Sequence, residues 1–120
     1  MLAQRAARGL GSLYVHSNDF TMKEARDFHV AWTPRGWMRE DLDLLGFEQQ
    51  LYLRQPGYGS SYVTGKYLIE RLLAEMGRQS EEQIILSDFF GQVDQQGVIP
   101  VSLIHWQLTG DGEQVRSLME

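Results

Sequence analysis

Ser60-Ser61-Tyr62-Val63-Thr64-Gly65-Lys66-Tyr67-Leu68-Ile69-Glu70-Arg71-Leu72-Leu73-Ala74-Glu75-Met76 is the stretch whose reading decides the fold class. Gly65, Ile69, Leu72 and Met76 recur at spacings of three and four residues, so they fall on a single face of a helix. Gly77 is placed to end that helix, and Pro56-Gly57-Tyr58-Gly59 forces a turn before it. Strands would need alternation at every second residue, and this stretch has none.

The same pattern extends outward. Towards the amino terminus, a helix covers about 39–54, with Glu40, Asp41 and Asp43 in its first turn, where the helix dipole favours carboxylates. Another begins at Thr21, which stands three residues before Glu24 in the spacing of a capping box, and it directs Ala25, Phe28 and Trp32 inward. It stops near Thr33-Pro34, because the residue before proline resists helical geometry. The first helix runs from about Leu2 to His16, with Leu2, Ala6, Gly9 and Leu13 on its inward stripe, and Ser17-Asn18-Asp19 breaks it. Towards the carboxy terminus, Ser80-Glu81-Glu82-Gln83 repeats the capping-box spacing and opens a fifth helix closed by Gly97. Pro100 opens a sixth over Val101 to Leu108. The expectation is an all-α chain of about six helices, a single helical domain over 1–110 with a frayed polar tail over 111–120.

Composition narrows the function classes. With 42% hydrophobic and 22% charged residues the chain has the balance of a globular protein. Sixteen Asp and Glu against eleven Lys and Arg give a net charge of -5, a field that repels phosphate backbones and argues against nucleic-acid binding. The absence of Cys excludes disulfides, thiolate metal sites and a cysteine nucleophile. No apolar run approaches the roughly 20 residues of a membrane span. The amino terminus lacks the apolar stretch of a secretory signal, which leaves the cytoplasm as the default location. It also reads as helix from its first residue without a capping side chain, so the chain is expected to be a piece of a longer protein.

His16, His29 and His105 have no metal-ligand spacing, and no His-Glu-x-x-His helix exists, so this chain by itself is expected to hold no metal and no cofactor. The glycine-rich Gly57 to Lys66 stretch fails as a phosphate loop, which needs Gly at Ser60 and Ser or Thr at Tyr67. It fails equally as a dinucleotide fingerprint, which needs Gly at Tyr62 and a preceding strand. What remains is a turn and helix start crowded with Arg54, Gln55, Tyr58, Ser60, Ser61, Tyr62 and Lys66. Tyr58 and Tyr62 stand four apart, so their phenols project to one side, an arrangement suited to an anion or a developing oxyanion. The alternative is a turn whose tyrosines pack with their hydroxyls at the rim. Arg5, Arg8, Ser12 and His16 form a polar stripe on the first helix, expected to face solvent unless another domain covers it.

The runs Phe28 to Asp41 and Gln50 to Lys66, with Gly97 to Ile104, closely resemble the carboxy-terminal region of the bacterial "domain of unknown function 885" proteins. The shared signature is Pro-Gly-x-x-x-Ser-Tyr-x-x-Gly, and a subgroup also carries Thr-Pro-Arg-Gly-Trp. Members of that family are longer, mostly helical proteins similar to zincin-type zinc metallopeptidases, whose metal motif lies upstream of the region matched here. The resemblance implies zinc and a peptide-like substrate for the intact parent, and no activity for this chain alone. Of the candidate residues it matches Tyr62 and His16; with Tyr58, which the four-residue spacing adds, these are the expected oxyanion or transition-state stabilisers, and Arg54, Ser61 and Lys66 from the same turn and helix start are the expected substrate-binding residues. Pro56, Gly57 and Gly65 match the structural turn. Where many relatives have Asp four residues before the His matched by His16, this chain has Ser12. The implied partner is the missing amino-terminal catalytic half, or a second copy meeting the face it left exposed. A freestanding helical interaction module is the competing expectation, marked by Trp32, Trp37 and Trp106 exposed at the surface.

Overall fold

A computed structural model describes residues 2–39, 41 and 43–120. The described residues are all-helical, with seven α-helices and no strand. None of these helices is long and apolar enough to cross a membrane. The chain divides into two compact units, Met1–Thr64 and Gly65–Glu120.

In the first unit, α1 spans Leu2–His16, α2 Met22–Trp32 and α3 Asp43–Arg54, with a 3-10 turn at Pro34–Gly36. The first turns of α4, Tyr58–Gln79, complete the unit. Chain reversals fall where backbone chemistry permits them. Asn18 takes the left-handed conformation after α1 (φ 64), and Gly57 does so before α4 (φ 83). The capping box of α2 forms with both arms: the Thr21 N–H donates to Glu24 Oε2 at 2.7 Å and the Glu24 N–H donates to Thr21 Oγ1 at 3.3 Å. The Thr21 N–H first, and then the Thr21 hydroxyl, which donates to the same carboxylate oxygen at 2.8 Å, hold the Glu24 carboxyl below its ordinary value. As expected, α2 ends at Thr33, extended before Pro34. The third helix starts at Asp43 instead of 39, and the expected role of Glu40 lies outside the described residues.

The face of α1 is the main correction. Leu2 and Leu13 are half-exposed, whereas Ala7, Arg8, Gly9, Gly11 and Ser12 are buried, so the middle of the polar stripe, Arg8 and Ser12, turns inward, while Arg5 is partly covered and His16 exposed at its ends. Close approach is the reason. A Cβ added at Gly9 would lie 3.0 Å from the Gly59 carbonyl oxygen, and one at Gly59 would lie 3.1 Å from Ser12 Cβ. Only the small-residue side of α1 lets the start of α4 come this near, and Arg8 is carried in with it. For α2, Ala25 is buried as expected, but His29 joins it and Trp32 points outward.

The second unit has an apolar core. Leu72, Phe89 and Ile104 form its centre, with Ile69, Leu73, Met76, Ile84, Val93 and Leu108 around them. The rest of α4 supplies the expected Ile69, Leu72 and Met76 face, while α5 spans Leu86–Gln95, α6 Val101–Thr109 and α7 Glu113–Arg116. Gly77 does not terminate α4, which continues to Gln79. Tertiary packing overrides the weak helix propensity of glycine here: the Ile84 side chain lies over the site, 3.7 Å from where a Cβ would stand. Ser80 does not cap α5 either. Its hydroxyl donates to the Glu82 carbonyl at 2.9 Å and accepts from the Glu82 N–H at 3.1 Å, closing a local turn, and the helix begins six residues later. Gly97 (φ 78) and Gly110 (φ 76) follow α5 and α6 in left-handed conformation. Within 111–120, Asp111 Oδ1 accepts the Glu113 N–H at 2.9 Å at the start of α7, and Gly112 is pressed against the Trp106 ring.

Candidate functional site

The site grows from two tyrosines placed by one helix. At the start of α4 the Tyr58 and Tyr62 hydroxyls lie 2.7 Å apart, and their rings meet edge to face at 5.5 Å. The four-residue spacing therefore does bring both phenols to one side, at the surface. That hydrogen bond, with the charge a second phenolate would add, pushes the Tyr58 phenol above its ordinary value. Tyr58 is thereby held as a neutral donor at physiological pH. In such a pair one hydroxyl donates to the other, and the accepting one keeps its own proton free to point outward. Across from them, the Arg5 guanidinium lies over the Tyr62 ring, 4.0 Å from its centroid. An arginine stacked in this way holds the ring and adds positive potential beside the free hydroxyl.

Behind this surface lies a buried polar network. Arg8 Nε donates to the Tyr52 hydroxyl at 3.0 Å, and the Arg8 guanidinium pairs with Glu48, whose side chain is 12% exposed. Tyr52 is in turn 5.9 Å from the Tyr58 ring. Burial raises the Tyr52 phenol above its ordinary value, with Arg8 partly opposing, so it remains protonated. Helices α1, α3 and the start of α4 are thus tied together by charge and phenols, beside the buried Ala7 and Leu45.

The remaining sequence-predicted residues are placed unevenly. His16 Nε2 donates to the Tyr52 carbonyl at 2.9 Å, and no described contact joins it to Tyr58 or Tyr62. The Ser61 hydroxyl donates to the Tyr58 carbonyl at 2.7 Å within its own helix. Lys66 pairs with Glu70 one turn along α4, an exposed pair of small energetic weight. Arg54 is exposed at the end of α3. Pro56 and Gly57 form the turn, whereas Gly65 lies inside α4, where a Cβ would meet nothing within 4 Å. Sequence reasoning missed Arg5 as the partner of Tyr62, the Arg8–Glu48 pair and the buried His29. The glycines flanking Arg8 were the available signal, because a helix face carrying Gly9, Gly11 and Ser12 invites close packing.

His29 is 2% exposed, and neither ring nitrogen has a hydrogen-bond partner. It lines a cavity of about 10 Å³ together with Gly11, Ser12, His16, Gln49 and Tyr52. Burial is the main cause that lowers its pKa to about 4, the Arg8 cation adding to it and the Arg8 backbone opposing. The unfolded chain therefore binds a proton that the folded chain refuses between pH 6.5 and about 4. The stabilisation from neutral His29 is complete above about pH 6.5 and is lost as pH falls towards 4, by about 3 kcal/mol in full. Urea unfolding followed across this window should show that slope, and His29→Leu should remove it. A His29 imidazole resonance, assigned through its loss in His29→Leu, that titrates near 6.5 in the folded protein would disprove it. Among the described residues no three His, Asp or Glu side chains come together as metal ligands.

Searches against protein families, curated proteins and solved structures matched nothing.

Proposed function

We propose that this chain is the carboxy-terminal part of a larger zincin-like hydrolase related to the "domain of unknown function 885" proteins. In that protein Arg5, Tyr58 and Tyr62 form the wall that receives negative charge. The reading rests on the resemblance of the sequence, and the observation that carries it is the phenol pair: two hydroxyls 2.7 Å apart with a guanidinium 4.0 Å from one ring. Donation within the pair polarises the outward O–H, which makes it a better donor to an oxyanion or a carboxylate. Arg5 supplies charge without competing for the hydroxyl, since it lies on the ring face. Among the described residues no set of side chains fits a zinc site, and the reading assigns the metal and the nucleophilic water to the part of the parent that precedes this region.

The test is Tyr62→Phe in an intact relative. Losing one oxyanion donor is expected to lower turnover about a hundredfold with little change in substrate affinity. On the chain itself, acetate should shift the amide resonances of 58–62, and Tyr62→Phe should abolish the shift. Unchanged turnover in the relative would remove the phenol pair from the mechanism.

A second reading, a freestanding helical interaction module, draws on exposed indoles. In the first unit Trp32 is 68% and Trp37 41% exposed, and in the second Trp106 is 43% exposed. The rings of Tyr14, Phe20, Phe28 and Trp32 follow one another at 4.8 to 6.0 Å and lead out to the surface at Trp32. Sedimentation equilibrium separates the readings: a module is monomeric until its partner is added, whereas a face left open by a missing half favours self-association.

A further inference from the structure

We propose that a groove in the second unit binds an extended peptide segment in which Lys or Arg side chains alternate with apolar ones. This goes beyond the phenol site, which belongs to the other unit. The first observation is where the charge lies. The 65–120 unit carries nine carboxylates against four Lys and Arg, while the 1–64 unit is balanced at seven of each. The whole net charge of -5 therefore belongs to the second unit. Between Gln79 and Ile104 there is no Lys, Arg or His at all, and Glu81, Glu82, Asp88 and Asp94 stand without a cation among them.

That segment builds the groove. It encloses about 340 Å³, within the range of roughly 300–1,000 Å³ that ligand clefts occupy. Met76, Ile84 and Phe89 line it with apolar surface, and Glu82 and Asp88 line it with carboxylates. Neither carboxylate has a cationic partner among the described residues. The wall between the Ser80 turn and α5 is chain without regular structure. Among the described residues Gln83 and Ile84 make no backbone hydrogen bond; Ile85 is extended (φ -90, ψ 122), and its carbonyl accepts the Asp88 and Phe89 N–H groups at the start of α5. Ile84 packs on the unit's core, while Ile85 next to it is 61% exposed. Free N–H and C=O groups, side chains directed alternately to core and solvent, and an apolar floor are what strand addition by a peptide uses.

The carboxylates then choose the occupant. A basic segment gains from Glu82 and Asp88, an acidic one is repelled, and a nucleic acid is repelled more strongly. A second copy of this unit would bring its own excess of carboxylates into the groove. A divalent cation lacks a third ligand, since no such cluster exists among the described residues.

The probe is a blocked hexapeptide alternating lysine with valine, titrated into the whole chain and followed by amide chemical shifts. Shifts are expected at 83–85 and along 88–92, with Kd on the order of 100 µM at low salt. Raising ionic strength from 0.01 to 0.15 M should weaken binding about tenfold. Glu82→Gln combined with Asp88→Asn should weaken it about tenfold at low salt while the circular dichroism spectrum is retained. Ile85→Lys, at an exposed position, should also block it without disturbing the core. The proposal is overturned if no shift appears at 1 mM peptide, if a glutamate–valine peptide binds equally, or if the shifts fall outside the groove. It is also overturned if sedimentation shows a dimer that occludes 83–92.

Discussion

Arg8→Met is expected to destabilise the first unit by about 3–5 kcal/mol, because it leaves Glu48 buried without its cation. Arg8 is 5% exposed, and besides the ion pair it donates to the Tyr52 hydroxyl. Methionine fills most of the volume of the arginine stem, so the loss reports charge and hydrogen bonding more than packing. The second Glu48 oxygen already has no hydrogen-bond partner, which leaves the carboxylate nothing to fall back on. Adding Glu48→Leu to Arg8→Met should restore most of the stability, since an apolar pair of similar volume is close to neutral in such a setting. Urea unfolding together with hydrogen exchange of the α1, α2 and α3 amides measures both variants. A single-variant loss under 1 kcal/mol would show that the pair is solvated and that the first unit is held by something else.

The two units differ in how far their sequences could be read, and that network is the reason. In the second unit the buried residues are apolar, so the three- and four-residue spacing of Ile69, Leu72 and Met76 identifies the inward face correctly. In the first unit the buried set includes Arg8, Ser12, His29, Thr33 and Gln49. Ranking residues by hydrophobicity places Leu2 and Leu13 inside and Arg8 outside, the reverse of what is found. What decides α1 is how close a backbone can come, a steric quantity that depends on Gly59, far along the chain. Local chemistry was legible where it stays local. The Thr21 and Glu24 box needs only its own four residues and forms as read. The same spacing at Ser80 fails because that hydroxyl already has a nearer partner in Glu82. In the candidate site, the spacing of Tyr58 and Tyr62 was sufficient to pair their phenols, whereas Arg5 and Arg8 reach their tyrosines only through tertiary packing.

Gly11 gives the sharpest steric test of the first unit. An alanine Cβ there would overlap His29 Nε2 outright and lie 2.7 Å from Cδ2. The imidazole has nowhere to go: it is 2% exposed, and the cavity beside it, about 10 Å³, has room for about one water and not for a displaced ring. Gly11→Ala should therefore cost about 3 kcal/mol, even though alanine gains about 1 kcal/mol over glycine in helix propensity. Gly11→Val should cost more, enough to unfold a unit of marginal stability. The two-sided control is His29→Ala. Alone it leaves a void and destabilises; combined with Gly11→Ala it removes the overlap, so the pair should be more stable than the sum of its single losses by at least 2 kcal/mol. Thermal and urea unfolding of the four proteins close the cycle. Additive losses, or a Gly11→Ala protein as stable as the parent chain, would mean that α1 does not press on His29, and the polar face of α1 would then have to be held by Arg8 and Glu48 alone.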